Sequence, residues 1–121
     1  MPKLRYYLPA LLWAALIASL STSRLPALPT WDLLAPDKIG HLVFYAILTL
    51  CLLWAQEKNG LEHFWQQEFL SATLAFGYGA CLEGIQACLP HRSFDYADVL
   101  ANGFGVILAP VIYLWLRKYL P

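Results

Sequence analysis

The chain has 121 residues, 60% of them apolar and only 13% charged, against about a quarter charged in ordinary soluble domains. A soluble domain of this size has too much surface to hide so many apolar side chains, so lipid is the expected solvent. Basic and acidic residues number 8 each, so no basic excess points to nucleic acid, and the five Trp and seven Tyr suit membrane–water interfaces.

A hydrocarbon core about 30 Å thick needs roughly 20 helical residues, and about 17 at the least. Four segments qualify: Leu4 to Leu20, Ile39 to Ala55, Phe69 to Leu89 and Tyr96 to Leu116. The first carries Lys3 and Arg5 at its head and Pro9 within its first turns, where proline costs least. That basic head, apolar middle and small residues Ala18, Ser19 and Ser21 also fit a cleaved secretory signal. Three more apolar segments follow, which favours a retained first span.

The connections fit a zigzag. Pro26, Pro29 and Pro36 keep a helix from continuing through residues 21–38, where Trp31, Leu33 and Leu34 suit the interface. Residues 56–68 are polar and carry the turn pair Asn59–Gly60. Residues 90–95 form a short link begun by Pro90, so the third and fourth helices must be antiparallel neighbours. Lys3, Arg5, Lys58, Arg117 and Lys118 fall on one side of such a chain, and Arg24, Lys38 and Arg92 on the other. Basic residues stay cytoplasmic, which predicts an all-α, four-helix transmembrane bundle, one domain over 1–121, with both termini cytoplasmic.

Cys51, Cys81 and Cys88 lie in apolar segments with no C-x-x-C spacing, and read as small packing residues. On the third segment Ala80, Gly84 and Cys88 are spaced by four, with Gly77 and Gly79 beside them; on the fourth, Asn102, Gly105 and Ala109 continue a stripe from Asp98. Small residues so spaced let helices approach closely in lipid, and packing is their expected role.

The polar residues concentrate at one face. Asp37, Lys38 and His41 open the second segment, with Tyr45 a turn further in; Glu83 and Gln86 close the third; Arg92 and Asp95 lie in the link; Asp98 and Asn102 open the fourth. Positions 37 and 41, and 98 and 102, share a helix face, as do 83 and 86. Glu83 lies about 9 Å below Leu89 at ~1.5 Å per residue. Ionisable residues inside spanning helices usually mark a site or a pairing network. Asp37, at the water boundary, reads as a helix N-cap. Arg92 is placed to clamp Asp95 or Asp98, and Lys38 to neutralise Glu83.

His41 and Glu83 are the candidates for a catalytic general base. No Gly-x-Ser-x-Gly elbow is present, and Ser93 is a lone hydroxyl. His41, Glu83 and Asp98 offer an imidazole and two carboxylates, but without H-E-x-x-H or E-x-x-H spacing; no metal and no cofactor is expected.

Asp37-Lys38-Ile39-Gly40-His41 with Tyr45, then Glu83-Gly84-Ile85-Gln86, then Arg92-Ser93-Phe94-Asp95 with Asp98, Asn102 and Gly105, resembles the motifs of the VanZ-like membrane proteins. The match, E-x-x-Q … R-x-x-D-x-x-D-x-x-x-N-x-x-G, spans about the whole chain and departs at Ala109, where the family often has a second glycine. The resemblance implies a small multi-spanning protein of the bacterial cytoplasmic membrane. The family's namesake is associated with low-level resistance to the glycopeptide teicoplanin, and no biochemical activity is established for the family. The leading expectation is an outward-facing pocket of Asp37, Lys38, His41, Tyr45, Glu83, Gln86, Arg92, Asp95, Asp98 and Asn102 that binds a cell-envelope amphiphile. The expected partners are membrane lipids and a lipid-linked envelope precursor, with no nucleic acid. Two alternatives stand: a membrane hydrolase or transferase acting on such a lipid, and a polar network that only sets helix packing.

Overall fold

The structure is a computed structural model that describes residues 3–22, 36–90 and 96–119; among these it is helical throughout, with no strand. A 3₁₀ turn, Leu4–Tyr7, leads into α1, Leu8–Thr22; α2 spans Pro36–Lys58, α3 Phe64–Ala87 and α4 Tyr96–Leu116. Arg92 and Asp95 lie outside the described residues, as do Trp31 and most of the proline-rich connection.

Local chemistry sets the boundaries. Pro36 takes the first position of α2, where its missing N–H has no helical partner to lose. Asp37 follows it in the first turn. α2 ends where Gly60 adopts φ +88° and Asn59 Nδ2 donates to the Ala55 carbonyl at 3.0 Å. α3 starts at Phe64, before the apolar segment, because Gln66, Gln67 and Glu68 are good helix formers. It closes at Ala87 in a tightened turn ahead of Pro90, with Cys88 N and Leu89 N donating to Ile85 O and Gln86 O. α4 runs through Pro110, which removes one ladder bond that surrounding helices can tolerate in lipid.

Alternation of direction is visible in the cross-helix contacts. Lys38 meets Asp98, His41 meets Asn102 and Glu57 meets Arg117, at sequence separations of 60, 61 and 60. A constant offset from one end to the other means that α2 and α4 run parallel and in register. α1 and α3 form the second parallel pair: Tyr78 donates to the Ala14 carbonyl at 2.5 Å and Gln86 Nε2 to the Ser21 carbonyl at 2.8 Å. α1 runs against α2, with Tyr6 edge-on to Trp54 at 5.7 Å and Trp13 Nε1 donating to the Phe44 carbonyl at 2.8 Å. The α2–α4 pair carries the most extensive packing, and among the described residues the backbones of α1 and α4 stay more than 8 Å apart, Cα to Cα.

A close approach occurs at Gly105, buried against α2. A Cβ there would run into the Leu42 carbonyl oxygen and come within 3.0 Å of the Ala46 nitrogen. The core around it holds Tyr45, Leu48, Leu52, Ala75, Leu82 and Val106, joined by Ala10 and Ile17 from α1.

The exterior is the more telling surface. Leu11, Leu12 and Leu16 on α1, Phe69 and Leu74 on α3, and Phe104, Ile107 and Val111 on α4 are all exposed. Gln56, Gln67, Ser71, Glu83 and Asn102 are inside. Apolar outside and polar within is the reverse of a soluble domain. Three helical stretches, Leu4–Thr22, Lys38–Lys58 and Tyr96–Leu116, are long and apolar enough to cross a membrane.

Two expectations about faces are corrected. The Ala80, Gly84, Cys88 stripe points outward: all three are exposed, and a Cβ on Gly77 or Gly84 would meet nothing within 4 Å. Gly79 is the glycine of α3 that packs. Likewise Cys81 and Cys88 are exposed and only Cys51 is half-buried, so two of the three cysteines are not packing residues.

Candidate functional site

The cluster at the Lys38 end has a rim and a floor. The rim is charged and reaches the surface: Lys38 Nζ lies 2.6 Å from Asp98 Oδ1, with the side chains 25% and 14% exposed. His41, 20% exposed, sits one turn below Lys38 between two oxygens. Its Nδ1 is 2.9 Å from Asn102 Oδ1 and its Nε2 is 3.6 Å from Asp98 Oδ2. Lys38 and His41 share a face of α2, and Asp98 and Asn102 share one of α4, so register alone brings the four together.

The floor is buried. Asn102, Glu83 and Tyr45 are each 2% exposed. The Tyr45 ring is parallel to that of His41 with centroids 6.4 Å apart, and its hydroxyl is within electrostatic reach of Glu83 and Tyr78. Gly79 makes this contact possible, because a Cβ there would lie 2.9 Å from both Asn102 Nδ2 and Tyr45 Cε1. Glycine on α3 thus lets tyrosine from α2 and asparagine from α4 meet over one backbone.

Of the residues expected here, Lys38, His41, Tyr45, Glu83, Asp98 and Asn102 converge. Asp98 pairs with Lys38; Arg92, which the sequence offered as a clamp for Asp95 or Asp98, lies outside the described residues. Gln86 is also buried, but it is turned towards α1, donating to the Ser21 carbonyl. Among the described residues no three His, Cys, Asp or Glu side chains come together as a metal-ligand set, so His41, Glu83 and Asp98 do not form one coordination sphere.

A second polar cluster, at the Lys58 end, was not read from the sequence. Gln56 Nε2 donates to Ser71 Oγ at 2.7 Å, with both residues almost fully buried. The Tyr113 hydroxyl donates to Glu57 Oε2, and Arg117 Nη2 lies 3.2 Å from Glu57 Oε1. Gln67 Nε2 donates to the Leu61 carbonyl. The available signal was the polar pair Gln67 and Ser71, spaced by four at the head of α3. Leu52, Leu53 and Ala75, all buried, fill the core between the two clusters.

Four helices with an apolar exterior, three of them able to span a membrane, around a buried polar floor and a charged rim define a membrane-type helical bundle. The family model VanZ/LLP1 matches residues 4–117, and the chain belongs to that family. No curated protein and no solved structure matches it.

Proposed function

We propose that the chain is a four-span protein of the bacterial cytoplasmic membrane whose Lys38-end cluster binds the headgroup of a cell-envelope amphiphile. The carrying observation is the part-exposed Lys38–Asp98–His41 rim on an otherwise apolar bundle. An ion pair at a helix end gains little where water reaches it, so packing alone does not account for its placement. At headgroup depth the same pair offers an ammonium to a phosphate and a carboxylate to an amine. α3 is the fourth span. α2 and α4 run parallel, so the chain between them must return across the bilayer, and 24 residues at ~1.5 Å each make α3 long enough. Its buried Glu83 and Gln86 explain its lower apolarity.

The test is binding of a polyprenyl-phosphate-linked precursor to the wild-type chain and to Lys38→Gln and Glu83→Gln in nanodiscs. Lys38→Gln weakens binding about fivefold, the roughly 1 kcal/mol of one basic residue at a membrane surface. Equal binding by all three chains removes the cluster from recognition.

One contact favours a second reading, a hydrolase or transferase acting on such a lipid. Asn102 Oδ1 holds the imidazole through Nδ1 and leaves Nε2 on the part-exposed Asp98 side of the rim, where a ring nitrogen could exchange a proton with a headgroup. On that reading His41→Ala abolishes turnover of an envelope lipid while the helical signal is retained.

A further inference from the structure

The gap left between α1 and α4 is a groove at the opposite end of the molecule from the polar rim. Pro9 from α1, Leu50, Cys51 and Trp54 from α2, and Tyr113 and Leu116 from α4 line a cavity of about 310 Å³. That is the low end of the roughly 300–1,000 Å³ range of small-molecule sites. The lining is apolar, and the hydroxyl of Tyr113 is engaged by Glu57.

The groove has a charged mouth. Two walls carry a cation four residues from a lining residue, Lys58 after Trp54 and Arg117 after Tyr113, and Arg5 lies in the 3₁₀ turn ahead of Pro9 that packs on α2. One α-helical turn is about 5.4 Å, so Lys58 and Arg117 stand just beyond the apolar lining. Arg5 lies over the Tyr6 ring at 4.9 Å, and Tyr6 is edge-on to Trp54, so this wall is held in place. Glu57 faces Arg117 at 3.2 Å and offsets one of the three charges. The deepest lining residue, Leu50, is eight residues from Lys58, about 12 Å at ~1.5 Å per residue, which stays within one leaflet of a ~30 Å core.

We propose that this groove holds an acyl chain of an anionic phospholipid from the leaflet at the Lys58 end, with the lipid phosphate between Arg5 and Lys58. A narrow apolar slot suits an alkyl chain, and a mouth with net positive charge selects an anionic headgroup over a zwitterionic one. The site is independent of the polar rim at the other end and of which end faces the cytoplasm.

The test is native mass spectrometry of the full chain, offered equal amounts of phosphatidylglycerol and phosphatidylcholine in detergent. The expected result is retention of phosphatidylglycerol over phosphatidylcholine by about tenfold, equivalent to about 1.4 kcal/mol. Arg5→Gln combined with Lys58→Gln brings that ratio close to one. Cys51→Trp fills the slot with the charges intact and removes retention of either lipid. A measurement on the unaltered groove guards against misfolding of that variant: phosphatidylglycerol brominated on its acyl chain quenches wild-type fluorescence more than brominated phosphatidylcholine, and Trp54→Phe abolishes the difference. Equal retention of the two lipids, or equal quenching by them, overturns the proposal. So does oxidative Cys51–Cys51 cross-linking of a Cys81→Ala/Cys88→Ala chain in bilayers, which would place a second copy of the chain on the groove.

Discussion

Asn102 joins the rim of the polar cluster to its floor, and its two polar atoms divide that work. Oδ1 faces His41, while Nδ2 is packed over Gly79. Truncation to alanine leaves the His41 nitrogen with a lost partner and opens a gap above Gly79. Asn102→Ala should lower unfolding stability in detergent by about 1–2 kcal/mol, the range of a buried hydrogen bond in lipid. Lys38 should behave differently. Its ion pair with Asp98 is a quarter exposed on the lysine side, where such pairs contribute less than about 1 kcal/mol. Lys38→Gln should therefore leave the unfolding temperature nearly unchanged while weakening headgroup binding. If instead Lys38→Gln destabilises as much as Asn102→Ala without touching binding, the cluster is a packing network and nothing more. The sequence grouped Lys38, His41, Glu83, Asp98 and Asn102 from helix spacing alone. It did not separate rim from floor, because burial depends on which neighbouring helix covers each side chain.

Between elements, the glycines sort into two kinds that look alike in sequence. Gly105 meets the backbone of α2, so an added methyl cannot be absorbed by a side-chain rotation, and the α2–α4 pair must move apart. Gly105→Ala should destabilise by about 1–3 kcal/mol, as overpacking of a tight contact does, and should disturb the polar cluster one turn away. Gly84 meets nothing within 4 Å, so Gly84→Ala should be neutral, or stabilising by up to about 1 kcal/mol through helix propensity. Thermal unfolding of the two variants side by side checks both. The existence of four helices was legible because apolar runs of sufficient length can satisfy their backbone in lipid only as helices. The start of α3 was not, because apolarity marks the part of a helix in contact with lipid, and Gln66, Gln67 and Glu68 are helical but polar. Nor was the packing face of α3. Gly79 and Ala80 are adjacent in sequence yet about 100° apart around a helix of 3.6 residues per turn, so spacing by four fits the buried face and the outward one equally well.

For the whole molecule, what remains is how the bundle sits in the membrane. The alternation of α1 to α4 places the Gly60 turn and the start of α4 at opposite ends, since α2 leaves from the Lys38 end and α3 returns to it. Basic residues concentrate at the Gly60 end, where Lys3, Arg5, Lys58, Arg117 and Lys118 gather, and Lys3 N donates to Asn59 Oδ1 at 2.5 Å across the α1–α2 boundary. The positive-inside tendency predicts that this end faces the cytoplasm and that the Lys38 rim faces outward. A chain with its native cysteines replaced can carry a single cysteine at Gly60 or at Tyr96, both exposed in the bundle. In intact cells a membrane-impermeant thiol reagent should label Tyr96→Cys and spare Gly60→Cys, which becomes reactive only after permeabilisation. Labelling of Gly60→Cys alone would invert the molecule and turn the rim towards the cytoplasm, where an envelope precursor would have to be met on its cytoplasmic leaflet. Labelling of both would mean that α3, the helix between the two positions, does not cross at all. The parallel offset of about sixty residues between α2 and α4 could not then persist in a bilayer. The rim and floor would have no common depth at which to meet a headgroup.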